Sequence, residues 1–456
     1  MLVSLGCSMA TVIRLPLSRT KIPKRMRRDV SYAAGLYNDD GSEYLMTVGI
    51  GTPPQNFTVA VDTGSADLWV PSVVCTTDCP LEKFDANRSS TFEHVRPNFG
   101  IVYGIGQANG SYGRDVVHIA GAQVPHQQFG LAETTNDIIL DHSGGGGSNS
   151  HIMSNGILGL GFPALASSPH DPVVFNLVKQ GLIDNAVFSF YMGSMYDPGW
   201  AGEIILGGID HDKYIGDLHY LPVARKTDNY TYWMVNGQGI QIQDNKTTDV
   251  ALDAPFPQSR RVIIDTGTTL TYLDKDLAER IVMAVAGHPN KVALDQATGT
   301  YILDCGIASS PLQIQFAFAD KPLRLRMPVR DLVIPLDADD TQDATQCMFG
   351  IAPWLSTGGS AALSASGMIL LGDSVLRSTY LVFDIANHQI GFGRAISTSG
   401  TALSLSISVD QAITSSSPPP RKPLHPTISW MVFLQLSLIF HFILQSGAVL
   451  SATVSA

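Results

Sequence analysis

Val59-Ala60-Val61-Asp62-Thr63-Gly64-Ser65 and Ile263-Ile264-Asp265-Thr266-Gly267-Thr268 are two copies of one pattern, and they decide how the chain is read. Each is an apolar run of strand character that ends in Asp-Thr-Gly and continues into a hydroxyl residue. A single such triplet is ordinary turn chemistry, with Asp bonding its own backbone and Gly supplying a positive φ. Two copies in the same setting point instead to a duplicated unit. A second pair of stretches repeats the message: Asn155-Gly156-Ile157-Leu158-Gly159-Leu160-Gly161 and Met368-Ile369-Leu370-Leu371-Gly372-Asp373 are apolar strands with glycines where another backbone must approach closely. From Asp62 to Gly159 the chain advances 97 positions, and from Asp265 to Gly372 it advances 107. One lobe plan is therefore present twice, with loops of different length.

The gross properties agree with a large β protein. A chain of 456 residues can bury a sizeable core in two domains or lobes. Only 15% of its residues are charged, while 42 are Gly and 26 Pro, which suits a turn-rich β architecture better than a helical bundle. A formal charge of −11 argues against nucleic acid as a partner.

Outward from the two triplets, most segments read as strands and turns. Tyr44 to Ile50 alternates, Gly51-Thr52-Pro53-Pro54 is a turn, and Leu68-Trp69-Val70-Pro71 follows the first triplet closely. Gly100 to Gly106 with Gly110 to Gly113 reads as a hairpin whose glycine-rich tip carries Tyr103, a decoration or a lid. The run 144–150 is too glycine-rich for an element and is read as a surface loop. Asp274 to Ala286 is the best helix candidate, with an apolar face on Leu277, Ile281, Met283, Ala284 and Val285 and Asp274 as its cap.

Cysteines and sequons indicate the secretory pathway. Two bridges, Cys75–Cys79 and Cys305–Cys347, are available without crossing between halves, and Cys7 is left over. A metal site at Cys75 and Cys79 lacks a second His or Cys pair nearby, so a loop-closing disulfide is preferred. Sequons stand at Asn56, Asn87, Asn109, Asn229 and Asn245. Residues 1–28 read as a leader and basic pro-segment in which a signal peptide is incomplete. The run Lys24-Arg25 and Arg27-Arg28, ending at Asp29, is either a solvated charge run or, as we prefer, the cleavage site of a kexin-like convertase.

Asp62-Thr-Gly-Ser, Trp69, Tyr103 in its glycine-rich hairpin, Asp265-Thr-Gly-Thr and the two apolar strands ending in Gly together resemble the pepsin family of aspartic endopeptidases, from about Tyr44 to Arg394. Cys347-Met-Phe-Gly-Ile and Gly372 to Tyr380 look most like fungal, yapsin-like members. The resemblance implies an all-β, bilobal fold, with residues 29–192 and 193–396 as the lobes and a cleft between them. It implies that Asp62 and Asp265 are catalytic, supported by Thr63, Gly64, Ser65, Thr266, Gly267 and Thr268. It also implies that Tyr103, Gly104 and Ile105 belong to a flap over the substrate, with Trp69 accepting from or buttressing the Tyr103 hydroxyl. Ile105 and Gln107 stand where many relatives carry small hydroxyl residues, and Asn155 where an acid is commoner; these departures touch subsite preference. Asp373 is read as a structural partner near the second carboxylate and not as a catalytic group.

Two carboxylates brought together cannot both ionise cheaply, so they share a proton. Such a pair can take a proton from a bound water while its protonated oxygen donates to a peptide carbonyl. No cofactor or metal is expected on this reading. Gly64 and Gly267 allow close backbone packing and offer N–H groups to the acids, and Ser65 and Thr268 can bond the outer oxygens.

Residues 397–427 are rich in Ser, Thr and Pro and read as a stalk, followed at 428–456 by an apolar tail. Ser415-Ser416-Ser417, a polar spacer and that tail match a glycosylphosphatidylinositol signal with Ser415 as candidate, in preference to a single-pass anchor. The expected protein is a monomeric aspartic endopeptidase, made as a zymogen and active in acid on extended polypeptides. It is expected to be sensitive to pepstatin-type inhibitors, and to be secreted or held on the membrane by its lipid anchor. The alternatives are a degenerate member that only binds peptides, and a glycosidase using the acid pair, for which few sugar-stacking aromatics besides Trp69 are present. Glu133, Asp137 and Asp141 are either a cleft for basic substrates or a solvated acidic loop.

Overall fold

The computed structural model describes residues 13–19, 44–80, 82–104, 106–136, 138, 154–192, 202–225, 227–338, 340–354, 365–377, 379–396 and 406–409. The strands Gln55–Asp62 and Val250–Ile264 deliver the two triplets. Each is buried at its end because it lies inside its sheet, which explains the uninterrupted apolar runs before each Asp. Ile157–Gly159 pairs in parallel with the first, placing Gly159 opposite Asp62. Ile369–Leu371 pairs in parallel with the second, ending with Leu371 opposite Ile264. Strands from both halves thus meet in equivalent crossings. At Gly159 a Cβ would lie 2.6 Å from the Ala66 and Asp67 nitrogens, and at Gly372 2.9 Å from the Leu270 carbonyl carbon. Only glycine admits those approaches.

The architecture is all-β, as expected. Residues of the first half build one wing of a 13-stranded sheet, in which the hairpin Glu93–Val102 and Gln107–Ile119 lies at one end. Met234–Asp244, Val250–Ile264, Leu312–Phe318 and Leu323–Pro328 belong to an eight-stranded sheet of the second half. A continuous core includes Val61 and Leu158 from the first half and Ile264 and Leu371 from the second. The α-helices placed whole among the described residues are short: α1 (Val173–Lys179), α2 (Lys275–Ala286) and α3 (Asp373–Leu376). In α2 the Asp274 carboxylate caps the first turn by accepting from the Leu277 N–H at 3.0 Å, and Gly287, in the left-handed region at φ 67°, ends it.

Three placements differ from the sequence-based layout. The division at 192/193 falls at the end of Val187–Met192, a strand that pairs with Thr379–Asp384 from the far half, so both halves contribute to a shared sheet. Ile13–Arg19, within the leader and pro-segment, is a strand lying between Gly202–Leu206 and Tyr44–Ile50. Ser406–Val409, within the expected stalk, pairs with Leu323–Pro328 and extends the second-half sheet. Its Ser-Ile-Ser-Val alternation is a strand pattern that a Ser/Thr-rich composition masks. Both disulfides are formed, Cys75–Cys79 and Cys305–Cys347.

Cys7, the basic run 24–28, the loop 144–150, Ile105, Asp137, Asp141, Ser415 and the apolar tail lie outside the described residues. Among the described residues no helix is long and apolar enough to cross a membrane.

Candidate active site

The two triplets meet at the junction of the halves, each organised around its own aspartate. Asp62 accepts from the Gly64 N–H at 2.7 Å and from the Ser65 hydroxyl. Asp265 accepts from the Gly267 N–H at 2.9 Å and from Thr268 Oγ1 at 2.8 Å. Both side chains are almost fully buried, at 6% and 5% exposure. The approach is crossed: a Cβ on Gly64 would lie 2.6 Å from Asp265 Cγ, and one on Gly267 2.5 Å from Asp62 Cγ. Each glycine therefore makes room for the opposite carboxyl group. Asp265 is held well above the ordinary carboxylate range, first by burial, then by the negative charge of Asp62 and the hydrogen bond between them. The bonds from Thr268 and Gly267 act in the other direction.

Thr63 and Thr266 fasten the pair from below. Thr63 Oγ1 donates to the Ile264 carbonyl at 2.8 Å and accepts from the Thr266 N–H at 3.0 Å, while Thr266 Oγ1 donates to the Val61 carbonyl at 3.0 Å. Both threonines are buried. Sequence reasoning placed them at the site without this role, because their partners are more than two hundred residues away.

Tyr103 stands at the tip of the hairpin, where its N–H donates to the Gly106 carbonyl at 3.0 Å and closes the turn. Its hydroxyl accepts from the Trp69 indole N–H at 2.7 Å. That corrects the expectation that Trp69 accepts, since an indole nitrogen has only a hydrogen to offer. Burial raises the Tyr103 hydroxyl well above its usual range, with the charges of Asp62 and Asp67 adding to it and hydrogen bonds to Trp69 and Ser65 opposing. Gly104 faces open space.

A family model for eukaryotic aspartyl proteases matches residues 43–395. The chain belongs to that family. Relatives of this aspartyl protease include gastricsin of Cavia porcellus, 30% identical over 83% of this chain and 86% of the relative. Cathepsin E of Mus musculus is 32% identical over 79% of this chain and 82% of its own length. Vacuolar protease A of Aspergillus fumigatus is 31% identical over 78% and 79% respectively. The protein is accordingly a hydrolase of the aspartic endopeptidase class.

Around the carboxylates the protease carries one further group that the sequence did not signal. Tyr232 has its hydroxyl raised by burial and then by the charges of Asp265 and Asp62, which puts its phenol within electrostatic reach of both acids. Nothing in the local Tyr-Thr-Tyr-Trp pattern distinguishes it from core packing. Asn155, singled out as a departure, accepts from the Thr58 N–H at 3.0 Å and donates to Glu82 at 2.8 Å, two tasks for which an amide suffices. Asp373 is buried at the start of α3, and its N–H donates to the Thr268 carbonyl at 2.8 Å. Glu133 is exposed. The sequon residues Asn56, Asn87, Asn109, Asn229 and Asn245 are all exposed. Among the described residues, no cluster of three or more His, Cys, Asp or Glu is placed to hold a metal ion.

Proposed function

We propose that this protease hydrolyses extended polypeptides in acid through Asp62 and Asp265. The observation that carries the proposal is the matched pair of buried carboxyl groups, each gripped by one glycine N–H and one hydroxyl and each lying over the other's glycine. A water bound between them gives a proton to the ionised carboxylate as its oxygen attacks the peptide carbonyl carbon, and protonated Asp265 gives its proton to the carbonyl oxygen. The tetrahedral diol then collapses: one of its hydroxyl protons returns to the pair, the C–N bond breaks, and the pair protonates the leaving amine. The raised proton affinity of Asp265 supports its assignment as the initial acid. The fixed N–H and hydroxyl donors hold the ionised partner in place without reorganisation.

The hairpin bearing Tyr103 acts as the lid over the peptide, anchored by Trp69. Cleavage after Arg28 by a kexin-like convertase converts the zymogen, and the Ser415 region receives the lipid anchor of a yapsin-like surface enzyme. The exposure of the five sequon asparagines, which leaves them open to glycosylation, accords with that route. Hydrolysis of a casein-type substrate between pH 3 and 5 tests the central reading. Activity should vanish with a pepstatin-type inhibitor and fall on the order of 10²–10⁴-fold in Asp265→Asn. Undiminished hydrolysis in that variant would refute the assignment, and a wild type that binds the inhibitor without cutting would make the chain a peptide-binding relative.

A further inference from the structure

Behind the lid lies a buried carboxylate that the reaction does not use. Asp67 is fully buried, five residues after Asp62 and two before Trp69. Its Oδ1 accepts from the Tyr112 hydroxyl at 2.7 Å, and its Oδ2 from the Ser167 N–H at 2.9 Å. Tyr112 belongs to Gln107–Ile119, the second strand of the lid hairpin, and packs in one cluster with Trp69, Phe99 and Tyr103. Asp67 thus ties the base of the lid to the segment that carries the lid's anchor. Burial and the Asp67 charge raise the Tyr112 hydroxyl, so the phenol stays a donor.

His170 completes the arrangement. Its side chain is 6% exposed, and its Nδ1 lies 2.8 Å from the Ser168 carbonyl, an acceptor that requires a hydrogen on Nδ1. Its Nε2 faces Asp67 Oδ1 at 3.7 Å and has no hydrogen-bond partner among the described residues. A neutral ring with its hydrogen on Nδ1 turns a lone pair toward a buried carboxylate. A second proton on Nε2 turns that repulsion into an ion pair in a region of low polarity. The charged or titratable groups recorded against His170 among the described residues are Asp67 and Tyr112. The neighbouring Asp171 carboxylate is taken by Lys179 at 2.6 Å.

We infer that His170 and Asp67 form a proton-dependent clamp at the base of the lid, tight in acid and loosened toward neutral pH, with both acting as positioning residues through Tyr112 and Trp69. The inference rests on the lid reading above but not on the catalytic assignment. His170→Gln supplies a neutral N–H toward Asp67 at every pH, and His170→Leu supplies none.

The test is hydrogen exchange of peptides covering residues 93–112, corrected for the intrinsic pH dependence of exchange, at pH 4.5 and 7.5. It uses the full chain carrying Asp265→Asn, so that Asp265, which holds its proton well above the ordinary carboxylate range, does not titrate between the two pH values. With His170 intact, protection of the hairpin should drop several-fold at pH 7.5. His170→Gln should keep protection at both values, and His170→Leu should be unprotected at both. Equal protection at the two pH values with His170 intact would overturn the inference, as would a His170→Gln variant that loses protection like its parent. If His170→Leu does not fold, the comparison of parent with His170→Gln still decides. Failure of this inference would leave the assignment of Asp62 and Asp265 standing, because no arm of the experiment reads catalysis.

Discussion

Thr63 and Thr266 point away from the acids they flank and bond the opposite strand instead. Their bonds are unequal. Thr63 both donates and accepts, so Thr63→Val leaves the Ile264 carbonyl and the Thr266 N–H without that partner, whereas Thr266→Val strips only the Val61 carbonyl. Denaturant unfolding should show a cost of about 3 kcal/mol for Thr63→Val and about 1–2 kcal/mol for Thr266→Val, from the usual penalty per orphaned buried group. Equal costs would mean the two bonds to Thr63 are not independent. The raised Asp265 gives a second residue-scale expectation. The unfolded chain releases that proton in the ordinary carboxylate range and the folded chain keeps it to higher pH. Stability from this source is full below that range and is lost as pH rises through the folded value. Asp265→Asn cannot ionise, so its melting temperature should gain on the wild type as pH rises, and parallel curves would contradict the shift. Asp62, Asp265 and their hydroxyls were legible because the N–H and hydroxyl that grip each carboxylate lie within three residues of it. The crossed threonine bonds were not, since sequence separation of 201 to 205 carries no local signal.

Local chemistry also explains which elements could be read in advance. Helix α2 was legible almost to the residue, since Asp274 caps the Leu277 N–H and Leu277, Ile281 and Val285 are buried on one face. The hairpin was legible from its glycines and alternation. Asp274 has a second task that no pattern announces: Arg260 Nη1 meets its Oδ2 at 2.7 Å, in a partly exposed ion pair. Substitutions separate the two. Asp274→Asn keeps a cap acceptor and loses only the charge, so it should cost a few tenths of a kcal/mol, within the range of exposed ion pairs. Asp274→Ala removes both and should cost about 1–2 kcal/mol in thermal or denaturant unfolding. If the Asn variant is as damaged as the Ala variant, the ion pair outweighs the cap. Ser406–Val409 escaped notice because four residues of alternation are too few to outweigh their setting, and what makes them a strand is the free edge of Leu323–Pro328.

At the scale of the molecule, the halves are joined by strands that neither half owns. Ile13–Arg19 is the clearest case: it pairs over five positions with Gly202–Leu206 and over two with Tyr44–Ile50, and those strands are linked to each other through it. A duplicated motif in the sequence predicts two lobes, but it does not say which outside segment closes the sheet between them. If Arg28 is cut, this strand is no longer covalently tied to the lobes, yet its backbone bonds remain. Withdrawing it would expose two strand edges at once, an outcome that sheets avoid. Cleavage alone should therefore not release the fragment. Native mass spectrometry of convertase-treated protein near neutral pH should find the fragment containing residues 13–19 still bound. Denaturing spectra of the same sample should show the cut. A cleaved protein that sheds the fragment at once and stays monomeric would mean another segment takes its place in the sheet, and the strand would then be a placeholder instead of a permanent part of the fold.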